Sequence, residues 1–154
     1  MTTTSVRAAS PALAAAQGRW VAAMEPWKGL DYSAAGLGRF LRATARSGHV
    51  LVAAGGSRGR VAGVLAMTPG FLLGSFISLL AVRPESAGQG VGRALIAQAE
   101  ADTFAKRRWL FVSADADNTG ALRFYRKLGF TRVGRLPDLV RTGRTEILLR
   151  KARP

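Results

Sequence analysis

Hydrophobic and polar positions alternate with different periods along this chain, and each change of period marks an element. Ser5 to Ala9 reads as a short first strand, and Ser10-Pro11 then supplies an N-cap with proline at the first helical position. That helix is expected to run to about Met24, where the breaker-rich Glu25-Pro26-Trp27-Lys28-Gly29 begins a loop. A second helix is predicted from about Ser33 to Arg46. His49 to Ala54 and Arg60 to Thr68 read as strands joined by a turn over Gly55 to Gly59, with His49 in a structural role at the strand start. Phe76 to Val82 is an almost continuous apolar run.

A loop follows over Pro84 to Gly90, and then a helix from about Gly90 to Lys106. Val91, Leu95, Ile96, Ala99 and Thr103 share one side of it, with Arg93 and Glu100 opposite. Trp109 to Ala114 is again continuously apolar apart from Ser113, as expected of a strand covered on both faces. Asn118 opens another helix on which Ala121, Phe124, Tyr125 and Leu128 are expected to share a face, with Arg123, Arg126 and Lys127 outward and Gly129 as the stop. Phe130 to Arg135 and Thr145 to Arg150 close the chain as strands. The order is α/β with a mixed sheet, and strand–loop–helix–strand over 76–114 implies a right-handed parallel crossover. Ligands of such sheets bind where loops leave the carboxyl ends of the strands.

The 154 residues suit a single domain with a real core, and Met1 to Thr4 are expected to be loose. With no cysteine and one histidine, thiolate chemistry and cysteine- or multi-histidine-ligated metal are excluded; no metal is expected. No stretch reaches the roughly 18 apolar residues of a membrane span, and the alanine-rich start is interrupted by Gln17, Gly18 and Arg19, so a cytoplasmic protein without a membrane partner is expected. The net charge of +14 has two readings. One is attraction of an anion, whether a nucleic acid, an acidic protein or a phosphate-bearing small molecule; the other is the Ala-, Gly- and Arg-rich usage of a GC-rich genome. Arg39, Arg42 and Arg46 lie near one face of a predicted helix, but no groove-reading motif or stacking platform accompanies them, so no nucleic acid is expected.

The chemistry concentrates at Arg83-Pro84-Glu85-Ser86-Ala87-Gly88-Gln89-Gly90-Val91-Gly92-Arg93. Three alternate glycines at a loop-to-helix junction let backbone amides approach an anion, and the helix N-terminus adds partial positive charge. A purely structural tight turn is the alternative. No Gly-Lys-Ser/Thr follows, so this is not a Walker loop, and Arg93 stands where the dinucleotide fingerprint needs glycine. Leu79-Leu80-Ala81-Val82-Arg83-Pro84 followed by Gly88-Gln89-Gly90-Val91-Gly92 resembles the acetyl-CoA motif of the GCN5-related N-acetyltransferases, the GNAT family. Further on, Asn118-x-x-Ala121-x-x-Phe124-Tyr125-x-x-Leu128-Gly129-Phe130 resembles that family's second motif.

The resemblance implies a mixed, mostly antiparallel sheet with helices on both faces and the parallel crossover at the acyl-CoA site. It implies acetyl-CoA as co-substrate and an amine acceptor, in a monomer or homodimer. The main chain of Leu80, Ala81 and Val82 would line the thioester, and the segment Ala87, Gly88, Gln89, Gly90, Val91, Gly92 and Arg93 would hold the diphosphate. Asn118, with Ala121, Phe124 and Tyr125, would border the pantetheine arm, and Tyr125 would protonate the departing thiolate. Ala87 departs from the family, which usually has Arg or Gln there; Arg83 or Arg93 is the candidate to compensate. Many relatives carry a glutamate before the phosphate loop, whereas Ser75-Phe76-Ile77-Ser78-Leu79 has no carboxylate. Glu25 is the substitute base, with Glu146 and Asp138 as rivals. Trp27 is a packed loop anchor or a pocket wall, and Arg141 and Arg144, in and after the loop Leu136 to Gly143, hint at an anionic acceptor. These features predict an N-acetyltransferase acting on a small-molecule amine or amino acid. The alternatives are a peptide or protein N-terminal acetyltransferase, to whose ribosomal-protein members Glu25-Pro26-Trp27 bears some similarity, and a non-catalytic CoA-binding module.

Overall fold

The computed structural model describes residues 4–55 and 59–154, so part of the predicted 55–59 turn and of the predicted loose start lies outside the described residues. The elements follow in the order β1 Ser5–Ala8, α1 Pro11–Ala16, α2 Gly18–Ala22, α3 Ala34–Arg46, β2 Val50–Ala54, β3 Val61–Phe71 and β4 Gly74–Val82. After a 3-10 turn at Pro84–Ser86 come α4 Val91–Phe104, β5 Trp109–Asp115, α5 Thr119–Lys127, β6 Thr131–Pro137 and β7 Thr145–Ala152. The strands form one seven-stranded sheet in the order β1-β2-β3-β4-β5-β7-β6. β4 and β5 pair in parallel from Gly74↔Trp109 to Ile77↔Val112, while β1 with β2, β2 with β3, and β7 with both β5 and β6 pair antiparallel. Both the mixed sheet and the parallel crossover are therefore as expected. The described residues fall into two compact units: the chain up to Thr68 with Leu79–Ala99, and Pro69–Ser78 with Glu100–Pro154.

In the first unit, Ser10 caps α1 by accepting from the Leu13 amide (3.1 Å), and Ser33 caps α3 by accepting from Gly36 (2.9 Å). The single helix expected to Met24 is instead broken at Gln17. Buried Gln17 donates to the Leu13 carbonyl (2.8 Å) and accepts from the Trp20 indole (2.8 Å). Gly18 then passes α3 so closely that a Cβ would lie 2.6 Å from the Gly38 nitrogen. The core here joins Val21, Leu37, Leu41, Val50, Val52 and Val64 to Leu79 and Ala81, with Trp27 packed against it as a loop anchor. His49 precedes β2, and its carbonyl accepts from Met67 (3.0 Å), in keeping with a structural role.

In the second unit, β5 is buried through Leu110, Phe111, Val112 and Ala114, as its apolar run predicts. Asn118 caps α5, and Gly129 ends it at φ +95°. The buried positions of α5 are Leu122 and Tyr125, while Ala121 and Phe124 are only half-buried. The expected stripe is thus rotated by one residue, because Leu122 and Tyr125 stand three apart on the same side of a helix. Arg123, Arg126 and Lys127 face outward as expected.

Candidate active site

The glycine-rich segment lies wholly in the first unit, at the carboxyl end of β4. Along that strand Leu79 and Ala81 are buried in the core, whereas Leu80 and Val82 are half-buried on the alternate side. The chain then turns through Pro84–Ser86, held by Ser86 and Ala87 amides donating to the Arg83 and Pro84 carbonyls (2.9 and 3.2 Å). Gly88 and Gly90 both sit at positive φ, +74° and +82°, with nothing within 4 Å of an added Cβ. Glycine is needed there for conformation, not for space. The helical ladder of α4 begins with Ala94 donating to Gly90 (3.0 Å). The amides of Val91, Gly92 and Arg93 therefore precede any intrahelical acceptor. No carboxylate stands in the first turn of α4, and Arg93 is exposed on it. Amides and a cation at a helix N-terminus form a donor set matched to a diphosphate.

One contributor was not picked out from the sequence. Gly63 in β3 lies under the start of α4, and a Cβ there would come within 2.7 Å of Val91 Cγ1, 2.9 Å of Leu95 Cδ1 and 3.2 Å of the Ala81 carbonyl. An isolated glycine inside an apolar strand is the signal that marks such close approach. Gly63→Val should tilt the first turn of α4 and weaken acetyl-CoA binding by about tenfold, an effect of the ~1–3 kcal/mol that overpacking costs. Calorimetric titration would measure it, and unaltered affinity would show that the seating of α4 does not position the loop.

Of the two arginines that could offset Ala87, Arg83 is otherwise engaged. Its Nε donates to the Val61 carbonyl (2.7 Å) and its guanidinium lies 4.6 Å from the Trp20 ring centroid. Loss of solvent, with Arg60 nearby, lowers its pKa. The Arg60–Glu85 pair spans 3.9 Å at the surface and adds little. Arg93 is the remaining cation beside the glycines. Glu25 is exposed, and its Oε2 accepts from the Gly29 amide (3.0 Å), closing its own turn.

The second unit holds the other predicted residues. Asn118 Oδ1 accepts from the Ala121 amide (3.1 Å), so capping uses the carboxamide oxygen and not its nitrogen. Tyr125 is buried, edge-on to Phe124 and Phe130 (5.2 and 5.6 Å between centroids). Burial raises its phenol pKa well above the ordinary value. At the carboxyl end of β5, Asp115 pairs with Arg144 (2.9 Å), which also reaches Asp117 (3.5 Å). The Arg144 hydrogen bond, then the Asp117 amide, hold the Asp115 carboxyl below its usual range. Arg144 is thus already paired with two carboxylates. Asp138 Oδ1 accepts from Gly143 (2.6 Å) and closes that loop. Glu146, opposite Asp115 in the β5–β7 register, is half-buried and accepts from Ser113 Oγ (3.1 Å). Loss of solvent raises its pKa; the Ser113 hydrogen bond opposes this and the Asp115 charge adds to it.

Residues 14–130 match the Acetyltransferase (GNAT) family. The chain belongs to that family. No curated protein sequence matches it. The fold of this GNAT chain is similar to solved structures across nearly its whole length. A GNAT-family acetyltransferase from Bacillus cereus superposes with a TM-score of 0.80 at 17% identity, covering 99% of each chain. The ribosomal-protein-S18-alanine N-acetyltransferase from Escherichia coli gives 0.79 at 15%, covering 98% of this chain and 94% of the other. The yncA protein from Salmonella typhimurium, solved with its cofactor acetyl-CoA, gives 0.74 at 18%, covering 99% and 95%. Acetyl-CoA is the co-substrate of this GNAT chain, in keeping with the donor set at Gly88–Arg93. Among the described residues no group of His, Cys, Asp and Glu could hold a metal, and no helix is long and apolar enough to cross a membrane.

Proposed function

We propose that this chain is one acyltransferase domain that moves acetyl from acetyl-CoA to a primary amine of a small molecule or amino acid. The observation that carries the reading is the left-handed pair Gly88 and Gly90 set against the start of α4. Bound acetyl-CoA supplies an activated acyl thioester. The amides from Gly88 to Arg93 hold its diphosphate, and the main chain of Leu80, Ala81 and Val82 lines the acyl end, where an N–H would stabilise the developing oxyanion. Asn118, Ala121 and Phe124 border the pantetheine arm. The reaction joins the amine nitrogen to the acetyl carbon and breaks the carbon–sulfur bond. One proton must leave the amine and one must reach the sulfur.

Tyr125 serves the sulfur as a neutral donor. Its raised pKa keeps the phenol protonated throughout the working range, but also makes full transfer to a thiolate with a pKa near 8.5 uphill. A hydrogen bond to sulfur, with the proton completed by water, is the role this supports. Tyr125→Phe should therefore lower kcat only about three- to tenfold, the net value of one hydrogen bond, and leave acetyl-CoA affinity unchanged. The same burial makes a second readout. The unfolded chain loses the phenol proton near pH 10 while the folded chain retains it, so stability falls as pH rises beyond that value. Urea unfolding of Tyr125→Phe should show a shallower alkaline decline, and a full-rate variant would remove the phenol from the chemistry.

For the proton on the amine, Glu146 fits better than Glu25 or Asp138. The latter two close their own turns with backbone hydrogen bonds at exposed positions. Glu146 is half-buried with its pKa raised toward that of an amine, which is the direction a general base needs.

Release of free thiol from acetyl-CoA, measured across a panel of amines, amino acids and short peptides, tests the function. Turnover with a small amine supports the reading. Turnover with peptides alone assigns the N-terminal acetyltransferase function, and binding of acetyl-CoA without thiol release under any acceptor assigns the binding module.

A further inference from the structure

The tip of the β3–β4 hairpin holds two leucines for which folding gives no reason. Phe71 ends β3 and Gly74 begins β4, so Leu72 and Leu73 make a two-residue turn. Both lie at positive φ, +44° and +63°. Side chains with a Cβ avoid that region, and two-residue hairpins of this kind favour Asn-Gly. The same two residues are the most exposed large apolar side chains among those described, at 64% and 80%. The tip is unfavourable both in backbone conformation and in hydration.

The chain around it is cationic. The Arg108 amide donates to the Leu73 carbonyl (3.3 Å), and the Arg153 amide donates to the Arg108 carbonyl (2.8 Å). The Arg150 and Arg108 guanidiniums lie 3.9 and 5.4 Å from the Trp109 ring centroid. Lys106 and Arg107 precede them, and neither 103–114 nor 147–154 contains an acidic residue. Lys151 is paired with Glu100 (2.7 Å). This surface belongs to the amino end of β5, whereas Asp115 and Asn118 stand at and beyond its carboxyl end.

We infer that the Leu72–Leu73 tip is a docking prong for an anionic membrane surface. Its two leucines enter the interfacial layer, and Arg107, Arg108 and Arg153 meet the lipid phosphates. The combination selects this partner. A nucleic acid would use the arginines but offer the leucines nothing, and an apolar protein groove would not need the arginines. The expectation of no membrane partner rested on the missing span, and interfacial docking requires none. The inference is independent of the acyl-transfer reading.

The test is co-sedimentation with vesicles of phosphatidylcholine alone and of phosphatidylcholine mixed with phosphatidylglycerol, using the native chain and Leu72→Asn/Leu73→Gly. The substitution installs the residues the turn prefers, so it should fold at least as stably and keep its acetyl-CoA affinity. The native chain should sediment with the phosphatidylglycerol vesicles only, and the double variant should bind them at least tenfold more weakly. Arg107→Gln/Arg108→Gln should weaken binding as well. Equal binding by the leucine variant would reduce the effect to net charge and overturn the inference, as would failure of the native chain to bind at moderate salt.

Discussion

Replacing Gly88 and Gly90 together by alanine should weaken acetyl-CoA binding by between about 30-fold and several hundredfold. Each residue sits at positive φ, where a side chain costs roughly 1–2 kcal/mol, so the variant loop relaxes in the free chain and binding must restore a shape that costs about 2–4 kcal/mol. No atom lies within 4 Å of either added Cβ, so packing gives no second penalty. The amides of the relaxed loop no longer converge above the start of α4, and recovering that convergence on binding is what weakens affinity. Calorimetric titration with acetyl-CoA measures the loss, and circular dichroism should show the fold intact. Wild-type affinity in a folded double variant would mean that the diphosphate is held elsewhere, and the donor-site assignment would fail with it.

Glu146→Gln should lower kcat/KM at neutral pH by about a hundredfold, the lower end of what general-base catalysis contributes. The substitution keeps the size of the side chain and its ability to accept from Ser113. The loss is therefore of basicity, not of the 3.1 Å contact. The pH dependence gives a sharper readout. The carboxyl pKa is raised, so the basic form is complete only above the usual carboxylate range, and the rate should fall as pH drops through that higher value. Ser113→Ala removes the contact that opposes the shift and should move this acidic limb to still higher pH. An acidic limb unmoved in Ser113→Ala and retained in Glu146→Gln would exclude Glu146. A comparable loss in Glu25→Gln would return the role to the loop after α2.

Raised and lowered carboxyls in one neighbourhood also act oppositely on stability. Asp115, held low by Arg144, stabilises the fold above the ordinary carboxylate pKa, and that contribution is lost as pH falls through its lowered value. Glu146, held high, is easier to protonate folded than unfolded, so its ionisation opposes folding near neutral pH. A group that weakens the fold in its charged form is what pKa tuning for proton transfer produces.

Features that depend on neighbours along the chain could be read from the residues alone. Ser10, Ser33, Asn118 and Gly129 read as helix ends because capping is a contact over three or four residues. The buried stripe of α4, Val91, Leu95, Ile96, Ala99 and Thr103, was legible because helical periodicity is likewise local. The glycine spacing of the phosphate loop carried its own signal. Other features were set by which distant segments folding brought together. The break at Gln17 depends on α3 crossing Gly18, and the role of Gly63 depends on α4 lying above it. Arg83 was drawn to a carbonyl 22 residues away, and Glu146 to a serine 33 away. A side chain's charge, reach and pKa are set by what folding brings against it, and those partners come from separations that no periodicity encodes.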